Sequence, residues 1–179
     1  MGHHASADGD KVSALIITII AGLIALAHSA CTNAQTTALV NQMQATDAWA
    51  FYQAKAIRQT TLRTAVDQYE IQGTKSGGEK VVVWKDTIAR YESDPEKKEG
   101  KKELMERAKE LEKGRERNLH AFHKLEMSVA ILEIAIVLVT ASVLTNLNKL
   151  KWGGVLVAFI GTWFFVIGKW FPMGFGGGH

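Results

Sequence analysis

Residues 127–171 decide the fold, and they read MSVAILEIAIVLVTASVLTNLNKLKWGGVLVAFIGTWFFVIGKWF. Two apolar runs, 127–147 and 152–171, each contain a single charged residue. A helix of about 20 residues rises about 30 Å, which is the hydrocarbon thickness of a bilayer. The residues between the runs, Asn-Lys-Leu-Lys at 148–151, allow only a tight connection. We therefore predict two antiparallel membrane helices.

A third apolar run, VSALIITIIAGLIALAHSA at 12–30, contains no charged residue. As a helix it rises about 28 Å and is long enough for a further span. The alternative is three buried core helices, but so short a chain has too little other apolar surface to cover them. We predict an amino-terminal tail at 1–11, three spans, and a glycine-rich tail at 172–179.

The region between the first and second spans carries most of the charge. Residues 31–126 hold 17 of the 21 basic and 15 of the 18 acidic residues, interleaved rather than in blocks. Residues 33–72 contain neither proline nor glycine, which favours a helix continuous with the first span. Apolar residues recur there at spacings of three, four and seven: Leu39, Met43, Ala50, Ala54 and Ile57.

A break and a returning helix follow. Residues 73–78, Gly-Thr-Lys-Ser-Gly-Gly, form the strongest break in the interior of the chain. After the break, Trp84, Ile88 and Tyr91 make an apolar stripe at helical spacing. The valines at 81–83 favour a strand by propensity, but no second strand is available to pair with them. We therefore predict that they are helical.

A charged helix leads into the second span. Asp94 followed by Pro95 suits an N-cap and a first helical position, so we predict a helix starting there. A narrow apolar seam runs along it: Leu104, Ala108, Leu111, Leu119, Phe122 and Leu125. Oppositely charged residues at spacings of three and four cover its other sides. This helix should pair with the helix at 33–72, less regularly than an ideal heptad coiled coil.

The predicted fold is an all-α membrane protein with three transmembrane helices and a long extramembrane antiparallel helical hairpin at 31–126. Three stretches are distinctive: QATDAWAFYQAKAIRQ (44–59), IARYE (88–92) and ILEIAIVL (131–138), the last preceded by a charged helix with His120 and His123. They resemble a bacterial membrane-protein family catalogued as domain of unknown function 4337. The resemblance covers roughly residues 10–171. It implies this order of helices and a membrane location, but no activity.

This chain departs from the family in three places. The link between the last two spans is usually more strongly basic than Lys149 and Lys151 here. The glycine-rich segments at 73–78 and 174–179 are particular to this chain.

The best candidate for metal chemistry is a row of four residues before the second span. Glu116, His120, His123 and Glu126 are separated by four, three and three residues, so they lie along one side of a helix. Imidazole and carboxylate groups are common transition-metal ligands. One helix rarely completes such a site, so a second subunit would have to supply another ligand. The alternative is a polar face at the membrane boundary, with His123 and Glu126 as a pH-sensitive pair.

Glu133 is the second candidate. It lies about 9 Å inside the second span by helical rise, where an ionisable side chain is costly unless it is paired, neutral or facing a cavity. It is interpreted either as part of a proton or cation relay or as a polar contact in a packed seam. Thr18, Ser142 and Thr162 are the hydroxyl side chains available to it in the spans.

Large aromatic residues form a third group. Trp49, Phe51, Tyr52 and Trp84 are predicted to pack between the helices or to contact a partner. At the third span, Trp152 and Trp170 lie about 27 Å apart along a helix and are predicted to anchor it at the two membrane interfaces. Lys169 is close enough to the end to reach the interface.

Several function classes are disfavoured. No phosphate-binding loop, nucleophile elbow or zinc-protease helix is present, so we expect no enzyme activity. The single cysteine excludes thiol-pair redox chemistry. The interleaved charges and the small net charge of +3 argue against nucleic acid. Apart from a possible transition metal, no cofactor is expected.

Lysines near the amino terminus and at 148–151 favour a cytoplasmic amino terminus in the bacterial inner membrane, which would place the hairpin in the periplasm. Basic residues between Arg107 and Lys124 argue for the opposite orientation. The first functional hypothesis is a self-associating scaffold, a homo-oligomer in contact with membrane lipid. The alternatives are an oligomeric channel that conducts protons or cations through Glu133, and an accessory subunit of a larger membrane complex.

Overall fold

The computed structural model describes the backbone of residues 3–72 and 78–170, with side chains from residue 11 onward. Within those residues there are four helices and no strand. They are α1 (His3–Ile71), α2 (Gly78–Glu92), α3 (Lys101–Thr145) and α4 (Asn148–Trp170). The all-α prediction is confirmed for this part of the chain. Helices α1, α3 and α4 are long and apolar enough to cross a membrane.

Both predicted continuities are present. Helix α1 passes without interruption from the first apolar run into 33–71, and α3 carries the charged segment directly into the second apolar run. The valines at 81–83 lie in α2, as predicted from their context. Of the predicted break at 73–78, only Gly78 lies within the described residues, as the first residue of α2. The tail at 172–179 also falls outside the described residues.

The prediction that a helix starts at Asp94-Pro95 is wrong, because α3 begins only at Lys101. Asp94 does cap a turn: its carboxylate accepts from Lys97 N at 3.1 Å, and its carbonyl accepts from Lys98 N at 2.8 Å. The turn ends after one repeat because Lys98 adopts a φ of 55°, outside the right-handed helical region. Asp94 therefore caps a single turn and not the start of a helix.

Glycine is required where α3 finally begins. Gly100 is buried, and its carbonyl accepts the hydrogen bond of Leu104 N at 3.0 Å. A Cβ atom at Gly100 would lie 2.5 Å from Asp94 N and 2.6 Å from Ser93 Cα. The Glu103 carboxylate closes this corner, accepting from Ser93 Oγ at 2.6 Å and from Asp94 N at 3.2 Å.

The connection between the last two spans is shorter than predicted. Helix α3 ends at Thr145 and α4 already begins at Asn148, so 148–151 is helical rather than a link. Asn146 has a φ of 54°, the left-handed conformation that asparagine tolerates at a helix end. The polar character of 148–151 therefore marks the first turn of α4.

The chain divides into two compact units, one formed by Met1–Ala38 with Glu116–His179 and the other by Leu39–Arg115. We call them the span unit and the charged unit. The core of the span unit consists of small and medium apolar side chains: Ile20, Ala27, Leu132, Ala135, Val139 and Ala158. Many other large apolar side chains on its helices are exposed, among them Leu15, Phe159 and Trp163.

Three glycines spaced by seven residues bring α4 close to α3. A Cβ atom at Gly154 would lie 2.6 Å from Val139 Cγ2, and one at Gly161 would lie 2.8 Å from Leu132 Cγ. Gly168 makes the same kind of approach one repeat later. Ser128 Oγ donates a buried 2.8 Å hydrogen bond to Gly161 O. Small residues and interhelical hydroxyl bonds are what holds membrane helices together where no water is expelled.

In the charged unit, the last turns of α1 contact α2, and earlier turns of α1 contact α3. Lys85 Nζ lies 2.7 Å from the Glu70 carboxylate, and Arg115 Nη1 donates to Gln42 Oε1 at 2.6 Å. The side of α1 that makes these contacts buries two alanines, a glutamine and a valine: Ala45, Ala48, Gln59 and Val66. The predicted stripe on α2 is confirmed as its half-buried side: Trp84, Ile88 and Tyr91.

Candidate functional site

The packing of α3 sets the direction of Glu133. Leu132, Ala135 and Val139 are at most 1% exposed and fix the inward side of the helix. Glu133 lies on the exposed side. Its neighbours there are apolar, and Ile134 is 56% and Val137 65% exposed. The structure therefore places a carboxyl group on an otherwise apolar surface within the second candidate span.

Within residues 11–72 and 78–170, no side chain forms a hydrogen bond or ion pair with Glu133. The three hydroxyl groups considered as partners are used elsewhere. Thr18 Oγ1 donates to Ala14 O at 2.9 Å, Ser142 Oγ to Val139 O at 2.6 Å and Thr162 Oγ1 to Ala158 O at 2.8 Å. None of these three residues is the partner of Glu133 within the described part of the chain, and a polar contact in a packed seam stays a prediction.

Glu133 belongs to a longer exposed stripe on α3, which we call the α3 outer face. Its members alternate at steps of three and four, and all are exposed: His123, Glu126, Ala130, Glu133, Val137 and Thr140. Steps of three and four keep one side of a helix in line. The stripe begins in charged sequence and continues into the apolar run, where three of its four side chains are small or polar.

The four metal candidates lie on the exposed side of α3, but they do not converge. Glu116, His120, His123 and Glu126 are all exposed. The one contact among them joins His123 Nδ1 to the Glu126 carboxylate at 3.7 Å. Within the described part of the chain, no three His, Cys, Asp or Glu side chains form a group able to hold a metal ion. A metal site stays a prediction that requires ligands from another chain.

The aromatic candidates are divided between contact and exposure. Trp49 Nε1 donates to the Glu112 carboxylate at 2.8 Å, and its ring meets Tyr52 edge-on at 5.5 Å between centroids. Trp84 packs edge-on against Tyr69 at 6.4 Å. Phe51, by contrast, is 63% exposed. Trp49, Tyr52 and Trp84 are thus part of the packing of the charged unit.

The predicted membrane anchors are at the ends of α4. Trp152 is 69% and Trp170 74% exposed, as expected of side chains that contact an interface. Lys169 Nζ lies 6.0 Å from the centre of the Phe165 ring. Their role as anchors stays a prediction.

A buried polar centre in the charged unit was not predicted. Gln59 is only 2% exposed, and its amide nitrogen donates to Ile88 O at 3.1 Å and to the Glu92 carboxylate at 3.0 Å. Its amide oxygen accepts from Lys101 Nζ at 2.8 Å. One side chain of α1 thus holds the end of α2 and the start of α3. No signal distinguishes it in a segment rich in glutamine and threonine.

This centre changes the acidity of its carboxylates. The hydrogen bonds from Gln59 and then Lys101 hold the pKa of Glu92 below its ordinary value. At the neighbouring corner, the hydrogen bond from Ser93 lowers the pKa of Glu103. Both carboxylates are therefore stabilised in their charged forms, which suits a structural clamp rather than a proton donor.

Comparison with known proteins assigns the chain to a family. The model of the family described as Domain of unknown function (DUF4337) matches residues 10–171. No curated protein and no solved structure matches the chain. The family match spans all three candidate membrane helices and the charged region between them. The chain therefore belongs to the DUF4337 family of proteins.

Proposed function

We propose that this chain is a non-enzymatic integral membrane protein that assembles with further copies of itself and acts as a membrane-organising scaffold. The observation that carries the proposal is Glu133, a carboxyl group exposed on an apolar helix surface. A charged side chain costs about 2.5–3.5 kcal/mol at the centre of a span on insertion scales, and Glu133, about 9 Å inside its span, bears part of that cost. A neighbouring chain that supplies a hydrogen bond would remove much of that cost.

The membrane placement has its own support. Lys151 Nζ lies 3.3 Å from Ser13 Oγ, so the starts of the first and third candidate spans meet at one end of the span unit. At the other end, Cys31 and Ala34 pack with Leu125, just before the second span. Three spans with matched ends leave the highly charged Leu39–Arg115 outside the membrane as the proposed helical hairpin. In a bacterial inner membrane, we place the hairpin in the periplasm and the amino terminus in the cytoplasm.

A second copy is the simplest partner for the α3 outer face. Ala130 lies one turn from Glu133, and a small side chain lets another helix approach closely. Copies related by symmetry would bring their Glu133 side chains together, and two carboxyl groups that share one proton can hydrogen-bond to each other. This pairing satisfies Glu133 without an unlike chain.

The test is the mass of the native assembly, extracted gently from membranes and measured by native mass spectrometry. We expect a discrete multiple of 19.7 kDa for the unaltered chain. Glu133→Leu should shift the population to smaller species, whereas Glu110→Leu should not. The control makes the same change at an exposed position of α3 that lies off the α3 outer face and outside the predicted span. Equal effects of the two variants, or a single copy for the unaltered chain, would refute the proposal.

A second candidate is an oligomeric channel for protons or cations, because the same exposed carboxyl group would line a pore if copies surrounded it. Glu133→Gln separates the two. The amide keeps hydrogen-bonding capacity but cannot carry a proton or a charge, so a scaffold stays assembled while a channel loses conductance in planar bilayers. Unlike chains in a fixed ratio in the native mass would instead identify an accessory subunit of a larger complex.

A further inference from the structure

Helix α1 has two differently used sides within the charged unit. The side with Ala45, Ala48, Gln59 and Val66 is buried against α2 and α3. The opposite side is exposed, although it holds large apolar residues: Leu39 is 59%, Met43 67% and Ile57 68% exposed. The apolar residues whose spacing predicts the helix therefore lie mainly on the side that its own chain leaves uncovered.

These exposed residues follow a regular repeat, which we call the α1 outer seam. Its members alternate at steps of four and three, and all are exposed: Leu39, Met43, Thr46, Ala50, Gln53 and Ile57. The same steps continue to Thr60 and Thr64, which are also exposed. An alternation of three and four is the a and d pattern of a coiled coil. From residue 39 to residue 64, the seam is about 37 Å long by helical rise.

The seam contains no charged residue, although α1 carries six charges between residues 39 and 71. All six lie off the seam: Asp47, Lys55, Arg58, Arg63, Asp67 and Glu70. A side that faced only water would have no reason to combine exposed Leu, Met and Ile with an absence of charge. The pattern indicates a surface that is covered by another helix.

We propose that the α1 outer seam pairs with the same seam of a second copy of this chain, parallel and in register. The inference rests on the proposed self-association and adds a contact outside the membrane, on a different helix from Glu133. Helix α1 contains both the seam and the first candidate span. Two copies inserted in the same orientation therefore present their seams in the same direction.

The residues are compatible with this pairing of identical positions. In register, Met43 meets Met43 and Ile57 meets Ile57, which buries the largest exposed apolar groups against each other. Gln53 meets Gln53, and an amide is both donor and acceptor, so it can bond to its own copy. Ala50 has a small side chain, which would let the two helices approach each other closely.

The residues that flank the seam place no like charges opposite each other in a pair of identical copies. In a parallel coiled coil, each g position faces the following e position of the partner helix. The facing pairs are Gln42 with Asp47, Trp49 with Ala54, Ala56 with Thr61, and Arg63 with Gln68. None of these is a like-charge pair. The parallel, in-register arrangement therefore meets no electrostatic penalty.

Disulfide cross-linking in membranes tests the proposal on the full chain. In a Cys31→Ala background, a single cysteine is introduced at Ile57 or, as the matched control, at Arg58, which is exposed one residue later and off the seam. Two parallel helices about 8–10 Å apart bring identical Cα atoms within the disulfide range of about 4.4–6.8 Å only at seam positions. We expect Ile57→Cys, and Ala50→Cys likewise, to yield a dimer of twice the chain mass on oxidation. Arg58→Cys should yield at least tenfold less.

The outcomes separate this inference from the proposed function. A native assembly of several copies in which neither Ile57→Cys nor Ala50→Cys cross-links would overturn the seam and leave self-association standing. Equal cross-linking at Ile57 and Arg58 indicates random collision and also overturns the seam. An adduct with an unlike chain does the same. Seam-specific cross-linking that persists in a Glu133→Leu background supports the seam even if the membrane contact fails.

Discussion

Replacing Gln59 with methionine should release α2 from the charged unit. Methionine keeps the length of the side chain but removes all three hydrogen bonds of the buried amide. Two of these bonds involve charged groups, Glu92 and Lys101, and the third goes to a backbone carbonyl. Neutral hydrogen bonds contribute about 0.5–1.5 kcal/mol net and those to charged groups about 1.5–3 kcal/mol. The gross loss is therefore several kcal/mol.

The net loss should be smaller because Glu92 and Lys101 still pair with each other when the amide is removed. Glu92 and Lys101 stay within 3.0 Å of each other, and their side chains are 41% and 16% exposed, so water and the ion pair restore part of the loss. We expect about 2–3 kcal/mol in the free energy that opens α2. At 1.4 kcal/mol per tenfold change, amide exchange in α2 should be ~30- to 140-fold faster, up to the unprotected rate.

The assay is hydrogen exchange followed by mass spectrometry on the full chain in detergent, read from peptides that cover 78–92. Gln68→Met is the matched control, because Gln68 lies on the same helix but is exposed. Peptides from the first span, 12–30, should exchange at the same rate in all three proteins. If Gln59→Met accelerated α2 by less than threefold, or no more than Gln68→Met does, the amide would not be the clamp that we describe.

Three further predictions concern packing and charge. Gly161→Leu should destabilise the full chain by at least about 1–3 kcal/mol, because its Cβ would meet a buried leucine at 2.8 Å. Gly153→Leu, where nothing lies within 4 Å of the added atom, should leave the thermal aggregation temperature in detergent nearly unchanged. Since the bond from Gln59 lowers the pKa of Glu92 in the fold, that carboxylate stabilises α2 above pH 4.5, its ordinary pKa, and this stabilisation is lost as the pH falls through the lowered value. Exchange of α2 amides, corrected for intrinsic rates, should rise at acid pH, and Glu92→Gln should flatten that dependence. Ser128→Ala removes a buried hydrogen bond between α3 and α4, while the Gly161 carbonyl stays within the helical hydrogen-bond ladder of α4. The change should therefore cost about 0.5–1.5 kcal/mol, visible as a lower aggregation temperature.

Helix identity could be predicted for most of the chain because long apolar runs and uninterrupted helix formers are strong, local signals. Helix boundaries were predicted less well where they depend on contacts across a turn or on the conformation of one residue. The start of α3 is fixed by the close approach of Gly100 to Ser93 and by the Glu103 carboxylate, neither of which the Asp94-Pro95 signal reveals. Asn146 ends α3 through its backbone conformation, just before the predicted end of the second span at residue 147.

The candidate site could be named from the sequence, but its direction could not. Glu133 is recognisable as a charge in an apolar run, whereas its exposure depends on which side of α3 packs against α4. For α1, the apolar spacing identifies a helix but does not show which of its sides is buried. There the contacts within the chain use Ala45, Ala48 and Gln59, which hydropathy ranks low. The seven-residue spacing of Gly154, Gly161 and Gly168 was the available signal for the α3–α4 contact.

The glycines of α4 have opposite effects on membrane insertion and on packing against α3. Substituting Gly154 or Gly161 by leucine would make α4 a better membrane-inserting segment, because leucine partitions into lipid more favourably than glycine. The same change would push α4 away from α3. Membrane insertion therefore favours leucine at these two positions, whereas packing of α4 against α3 requires glycine. A variant of this kind should be targeted and inserted normally and yet fail at the later step of helix assembly, so its loss would be a quality-control phenotype rather than a failure of translocation.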